Sequence, residues 1–139
     1  MINLITFLTM IFMHAFADFN LQGILAQMKQ KNWWKETIVD SQGKPALRSY
    51  NKYKYDWLPS LVTHSFVWTF CVMIVPTLLW KLYTITDLTK IIYFVIIFIL
   101  NLIIHAVVDH AKCNQNKINL VGDQLIHIVQ ITITFFALM

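Results

Sequence analysis

Hydrophobic residues crowd into four runs, at about 2–27, 57–80, 88–112 and 120–139, separated by polar interruptions. Each run approaches or exceeds the roughly 20 mostly apolar residues that a helix needs to cross the hydrocarbon core of a bilayer. The pattern predicts an all-α, integral-membrane four-helix bundle, one domain over residues 1–139. The first run has neither a basic leading region nor a convincing small-residue cleavage site, so it is read as a helix of the bundle and not as a signal peptide. Pro59 falls near the start of the second run, where a proline is tolerated, and Pro76 is expected to kink or loosen that helix's last turn.

The informative positions are the polar exceptions inside these runs. His14 and Asp18, His105 and Asp109, and Asp123 and His127 are each four residues apart, and His64 stands alone in the second run. Four residues is one helical turn, so each pair shares a face. Measured from the run ends, His64, His105, Asp109, Asp123 and His127 lie at similar depth in one leaflet. His14 and Asp18 join them if the first helix leaves the core near Gln22 and Gly23. An Asp at the centre of a membrane helix costs about 2.5 to 3.5 kcal/mol even on lenient insertion scales, and three carboxylates crowded without cations would repel one another. A single intramembrane His is readily explained as a hydrogen-bonded interhelical contact. Four imidazoles converging with three carboxylates are a ligand set for a divalent transition metal: zinc first, manganese or iron as alternatives, as one or two ions. Gln22, Asn101 and Gln124 are placed to orient these ligands from a second layer. Lys112, three residues after Asp109, is either a neutralising or substrate-binding cation or one that snorkels at a helix end. His110 points about 100° away from Asp109 and is expected at the interface.

Composition and charge sharpen this reading. The chain is 58% hydrophobic and 13% charged, with three Gly and three Pro, which excludes an ordinary soluble domain. Residues 29–56 form a basic, aromatic loop in which Lys29, Lys31, Lys35, Lys44, Arg48, Lys52 and Lys54 alternate with Trp33, Trp34, Tyr50, Tyr53 and Tyr55. Gly43-Lys44-Pro45 marks a turn in it. Such a segment is either solvated or settled on a membrane surface. With Lys112 and Lys117 this side carries nine basic residues against Lys81 and Lys90 on the other, so the long loop is expected in the cytoplasm and both termini outside. Cys71 and Cys113 make neither a disulfide framework nor a CxxC metal site. No phosphate-binding loop or dinucleotide fingerprint occurs, Ser65 adjoins His64 without facing it, and no nucleic-acid partner is expected.

His14-Ala-Phe-Ala-Asp18-Phe-Asn-Leu-Gln22, His64, His105-Ala-Val-Val-Asp109-His-Ala-Lys112 and Asp123-Gln124-Leu-Ile-His127 together resemble, in order and spacing, the small bacterial and phage membrane family called domain of unknown function 3307. That family is itself distantly similar to membrane-bound metal-dependent hydrolases. The resemblance covers nearly the whole chain, the basic loop excepted. It implies a bacterial or phage origin, residence in the bacterial inner (cytoplasmic) membrane, and metal binding.

The leading expectation is a membrane-embedded metal-dependent hydrolase with its site near the cytoplasmic face. Asp109 and Asp123 are the candidate bridging ligands, a spare Asp the general base, and Lys112 a further catalytic candidate. Its substrate is a membrane lipid, another amphiphile or a phosphorylated molecule, and the composition is compatible with oligomerisation. The alternatives are a metal or proton transporter, and a phage membrane interaction protein with a structural polar cluster. Relief of carboxylate crowding predicts that Asp109→Asn slightly stabilises the metal-free protein.

Overall fold

The computed structural model describes residues 2–37, 51–84 and 88–139, together with 39, 42 and 43. All its long elements are helices: α1 (Ile2–Phe16), α2 (Leu25–Met28), α3 (Lys31–Thr37), α4 (Trp57–Thr84), α5 (Leu88–Cys113) and α6 (Leu120–Leu138). The four long ones form an up-down-up-down bundle in which α4 packs between α1 and α5, and α6 closes the ring between α5 and α1. Four helical stretches, Asn3–Leu21, Asn51–Leu78, Leu88–Cys113 and Leu120–Leu138, are long and apolar enough to cross a membrane, which by length and composition makes this a multi-pass membrane protein.

The burial pattern fits that solvent. Leu4, Phe12, Ile99, Val107, Val129 and Phe136 are exposed around the outside, while Asp18, His64, Asn101, His105, Asp109, Asp123, His127 and Gln130 are buried. With lipid outside there is little hydrophobic drive to bring helices together, and the polar interior takes over part of that work through interhelical hydrogen bonds. A compact apolar plug formed by Met10, Trp68, Val72 and Ile131 lies beside the polar layer.

The first run differs in detail from the single helix expected over 2–27. After Phe16 the backbone widens into a π-helical turn over Ala17–Leu21, which places Ala17 and Asp18 inside the bundle. The helix then breaks at Gln22-Gly23-Ile24, where Gly23 takes φ 46°. The physical reason is local: a left-handed residue ends a helix, and glycine alone adopts that conformation without a Cβ penalty. The break turns the chain back over the end of the bundle, so residues 29–37 are not plain loop. Asn114, just past α5, fastens them there. Its side-chain oxygen accepts from the backbone N–H of Lys31 (2.7 Å) and its amide donates to the Lys29 carbonyl (3.0 Å). Trp34 donates from its indole to the Met28 carbonyl (2.8 Å).

Pro76 does not end α4, which continues to Thr84 beyond the expected 80. The Thr77 hydroxyl donates to the Met73 carbonyl, supplying a partner one turn back, beside the interruption that the proline makes in the ladder. At the start of α6, Asn119 caps the helix by accepting from the Gly122 N–H (2.8 Å). Within the basic segment, Lys31 lies 4.4 Å from the Trp57 ring centroid, and Trp57 stacks on His110, which is half-buried at this end of the bundle as expected for an interfacial residue. Gly43 takes φ 75°, as a turn requires, whereas Asp40, Lys44, Pro45, Arg48 and Tyr50 lie outside the described residues.

Because Gly23 is left-handed, Gly23→Ala is expected to destabilise the protein by about 1–2 kcal/mol, although no atom outside its neighbours lies within 4 Å of the added Cβ. Gly23→Asn should cost less, since Asn tolerates this conformation. Thermal midpoints of the two variants in one detergent check the order.

Candidate metal centre

The seven predicted residues converge from four helices. His64 Nε2 is 3.2 Å from Asp109 Oδ2 and 3.4 Å from Asp18 Oδ1, and His105 Nε2 is 3.2 Å from His64 Nε2. His127 Nε2 is 3.5 Å from Asp123 Oδ1. The imidazoles of His105 and His127 stack with ring centroids 4.2 Å apart, and the indole of Trp68 stacks on His105 at the same separation. Trp68 is fully buried and forms the floor of the site.

Three sets of side chains bring their ligand atoms within 4.8 Å of one another: Asp18, His64 and His105; His105, Asp109 and His127; and Asp18, Asp123 and His127. His105, Asp18 and His127 each belong to two sets. The carboxylate shared between two sets is therefore Asp18, whereas Asp109 and Asp123 each belong to one.

His14 reaches the cluster but stands outside all three sets. The Gln124 amide N–H groups donate to Asp18 Oδ2 (3.2 Å) and Asp123 Oδ2 (3.0 Å), which fixes the orientation of that side chain because carboxylates only accept. Gln124 Oε1 is then the acceptor for His14 Nε2–H (3.1 Å), and His14 Nδ1 accepts from the Trp68 indole N–H (2.8 Å). Both ring nitrogens are engaged, so His14 braces Trp68 and Gln124 and has no lone pair left for an ion.

His127 is the opposite case. The Gln130 amide donates to the Asn101 carbonyl (2.8 Å) and to Asn101 Oδ1 (2.9 Å), which leaves Gln130 Oε1 facing His127 Nδ1 at 3.4 Å. That assigns the proton of His127 to Nδ1 and directs the Nε2 lone pair inwards, the second-layer arrangement by which histidines are prepared as ligands. Among the described residues neither His127 Nε2 nor Asp123 Oδ1 has a hydrogen-bond partner, and neither does Asp18 Oδ1. Two facing lone pairs 3.5 Å apart, buried and without a donor between them, repel each other. Such a set of His and Asp atoms could hold a divalent cation.

Asn101 serves the site as anticipated, though through Gln130 and His127, not through His105. Gln22 has a different task from the one expected. Its amide donates to the Asp18 backbone carbonyl and its oxygen accepts from Lys29 Nζ (3.1 Å), so it positions a lysine. Lys29 itself, assigned from sequence to the loop, is 5% exposed, with its ammonium 2.6 Å from Asp109 Oδ2. Lys112 makes the matching pair with Asp123 Oδ2 at 2.6 Å. Lys29, Trp68 and Gln130 are the site residues missed by the sequence reading. Trp68 and Gln130 follow His64 and His127 by four and three residues and so share their faces, while no periodicity crosses the break at Gly23 to reach Lys29.

The Lys29 pair also corrects the expectation for Asp109→Asn. Removing that carboxylate's charge strands a buried ammonium, so the variant loses stability whether or not an ion binds. Comparison with known proteins matches no family model, no curated protein and no solved structure.

Lys29→Met leaves Asp109 as an unpaired buried charge. In chelator it should lose about 3–5 kcal/mol, read as a marked fall in thermal midpoint relative to the parent.

Proposed function

We propose that the protein is a metal-dependent hydrolase of the bacterial inner membrane, with a His/Asp centre holding one or two divalent ions, zinc first and manganese or iron as alternatives. The observation that carries this reading is the pair of inward, unpartnered atoms, His127 Nε2 and Asp123 Oδ1, whose orientation two amide networks enforce. Asp18, Asp123, His64, His105, His127 and Asp109 would hold the metal. When bound, such an ion supplies Lewis acidity, polarising a phosphoryl or carbonyl oxygen and lowering the pKa of a water ligand towards neutrality.

The chain's own contribution is positioning and charge. Trp68 fixes the His105 plane and engages His14 Nδ1, which would keep His14 out of the set of residues holding the metal. Gln124 holds Asp18 and Asp123 in register, and the oxygens of Asp109 and Asp123 that face the lysines hold cations at the end where Lys112 retains 26% side-chain exposure. That end is where a substrate enters, and the basic segment around Lys31 and Lys35 favours an anionic one. The resemblance to domain of unknown function 3307 supports the same class of chemistry.

Transport receives less support. Asn101, Gln130 and Thr134 do carry the polar strip further towards the opposite end than the sequence suggested, but Gln130 and Thr134 both donate to Asn101 and close the strip on itself. The apolar plug of Met10, Val72 and Ile131 packs beside it. For a purely structural cluster, the unpartnered lone pairs would be a cost with no return.

Asp18→Asn is the discriminating variant, because Asp18 has no lysine partner among the described residues. Elemental analysis of detergent-purified protein should find divalent metal in the parent and loss of it in Asp18→Asn, with the chelator-treated variant at least as stable as the chelator-treated parent. A metal-free parent that takes up no zinc, manganese or iron would overturn the reading. Orientation is checked separately: an impermeant thiol reagent should spare the half-buried Cys113 in intact cells and modify it in inverted vesicles, while buried Cys71 reacts in neither.

A further inference from the structure

Lys29 and Lys112 sit at the same end of the cluster, each 2.6 Å from the Oδ2 atom of a carboxylate that also faces a histidine. With neutral imidazoles, three carboxylates against two ammoniums leave the centre with one negative charge. One divalent ion turns that into one positive charge, and two ions make it three. Inside a bundle bounded by hydrocarbon, a surplus of this kind is costly unless a counter-charge comes with it. A neutral ester or amide leaves the surplus in place. A dianionic phosphoryl group reduces the two-ion surplus from three charges to one, and reverses the sign of the one-ion surplus without enlarging it.

The donor inventory fits the same ligand. An ammonium has three N–H donors. Among the described residues Lys29 uses two, on Asp109 and Gln22, and Lys112 uses one, on Asp123. Once a divalent ion takes up the charge of Asp109 and Asp123, the ammoniums are held less tightly by them and their donors become available. Lys29 cannot withdraw to water, because it is buried and Gln22 holds it.

We propose that Lys29 and Lys112 form a clamp for a phosphate monoester or inorganic phosphate that binds only to the metal-loaded centre. The clamp rests on the metal reading above and names its substrate class. Binding of metal and of phosphate is then mutually reinforcing, since the coupling between two ligands is reciprocal. The two ligands also respond oppositely to loss of a lysine. Removing one ammonium makes the centre more negative, which favours a cation and disfavours an anion. A lysine of purely structural importance would weaken both when removed.

The test is equilibrium dialysis of the detergent-purified full chain with radiolabelled inorganic phosphate, with and without manganese, alongside manganese binding measured on its own. The expected result is phosphate binding that requires manganese. In Lys112→Met, phosphate affinity should fall at least about tenfold with manganese affinity unchanged or raised, and Lys112→Arg, whose guanidinium keeps the charge but grips Asp123 more firmly, should restore phosphate binding only in part. Lys29→Met, assayed with manganese present so that Asp109 keeps a cation, should show the same split. Competition with phosphatidic acid in nanodiscs separates the sources: displacement of the label identifies a lipid headgroup, and its retention a soluble phosphate, either of which supports the clamp. Manganese binding with no phosphate binding, or with phosphate affinity unaffected by Lys112→Met, overturns the clamp and leaves the metal centre standing. Absence of manganese binding in the parent instead removes the metal reading itself.

Discussion

Three carboxylates enclosed by four lipid-facing helices are the constraint from which the rest of the structure follows. Each ionised Asp must be compensated where water is scarce, and each is compensated differently: Asp109 by Lys29, Asp123 by Lys112, and Asp18 by the Gln124 amide with His64 beside it. These contacts tie the ends of α1 and α6, the segment after α2 and the end of α5 into one layer. Lipid outside a helix is as apolar as the side chains that face it, so the layer contributes much of the specificity that a hydrophobic core supplies in water-soluble bundles. The apolar plug beside it is small by comparison.

Trp68 links that layer to the plug. Its ring stacks on His105 while its N–H engages His14, so one side chain orients two of the four imidazoles in different ways. The consequence is a division of labour among four imidazoles that look equivalent in sequence. His127 has Nδ1 held by Gln130 and Nε2 turned inwards, His64 and His105 face each other across Asp18 and Asp109, and His14 is a structural brace.

Helical periodicity made most of this legible in advance. His105 with Asp109 and Asp123 with His127 could be placed on shared faces, and at a shared depth, from spacing alone, because a continuous α-helix converts residue number directly into height and angle. The same rule failed where the helix was not continuous. The π-turn over Ala17–Leu21 and the left-handed Gly23 disconnect Lys29 from the count that starts at His14, so a residue read as loop is buried against Asp109. Periodicity also yields a face and a depth, never a hydrogen-bond partner. That is why His14 was legible as inward-pointing but not as a brace, and why Asp18 emerged as the shared carboxylate only from distances.

The choice of lysine at both cationic positions is itself informative. An arginine beside Asp109 or Asp123 would grip the carboxylate with two parallel hydrogen bonds in a fixed plane and would release it reluctantly. An ammonium is a compact charge on a flexible stem, with donors that can be redistributed as the charge around it changes. In the metal-free arrangement Lys29 and Lys112 substitute for cations and keep the carboxylates from repelling one another. In the centre proposed above, a divalent ion would take over that task and leave the ammoniums with donors to spare. A static ion pair needs only one of these two properties, whereas the proposed centre, passing between a cation-poor and a cation-rich state, would need both.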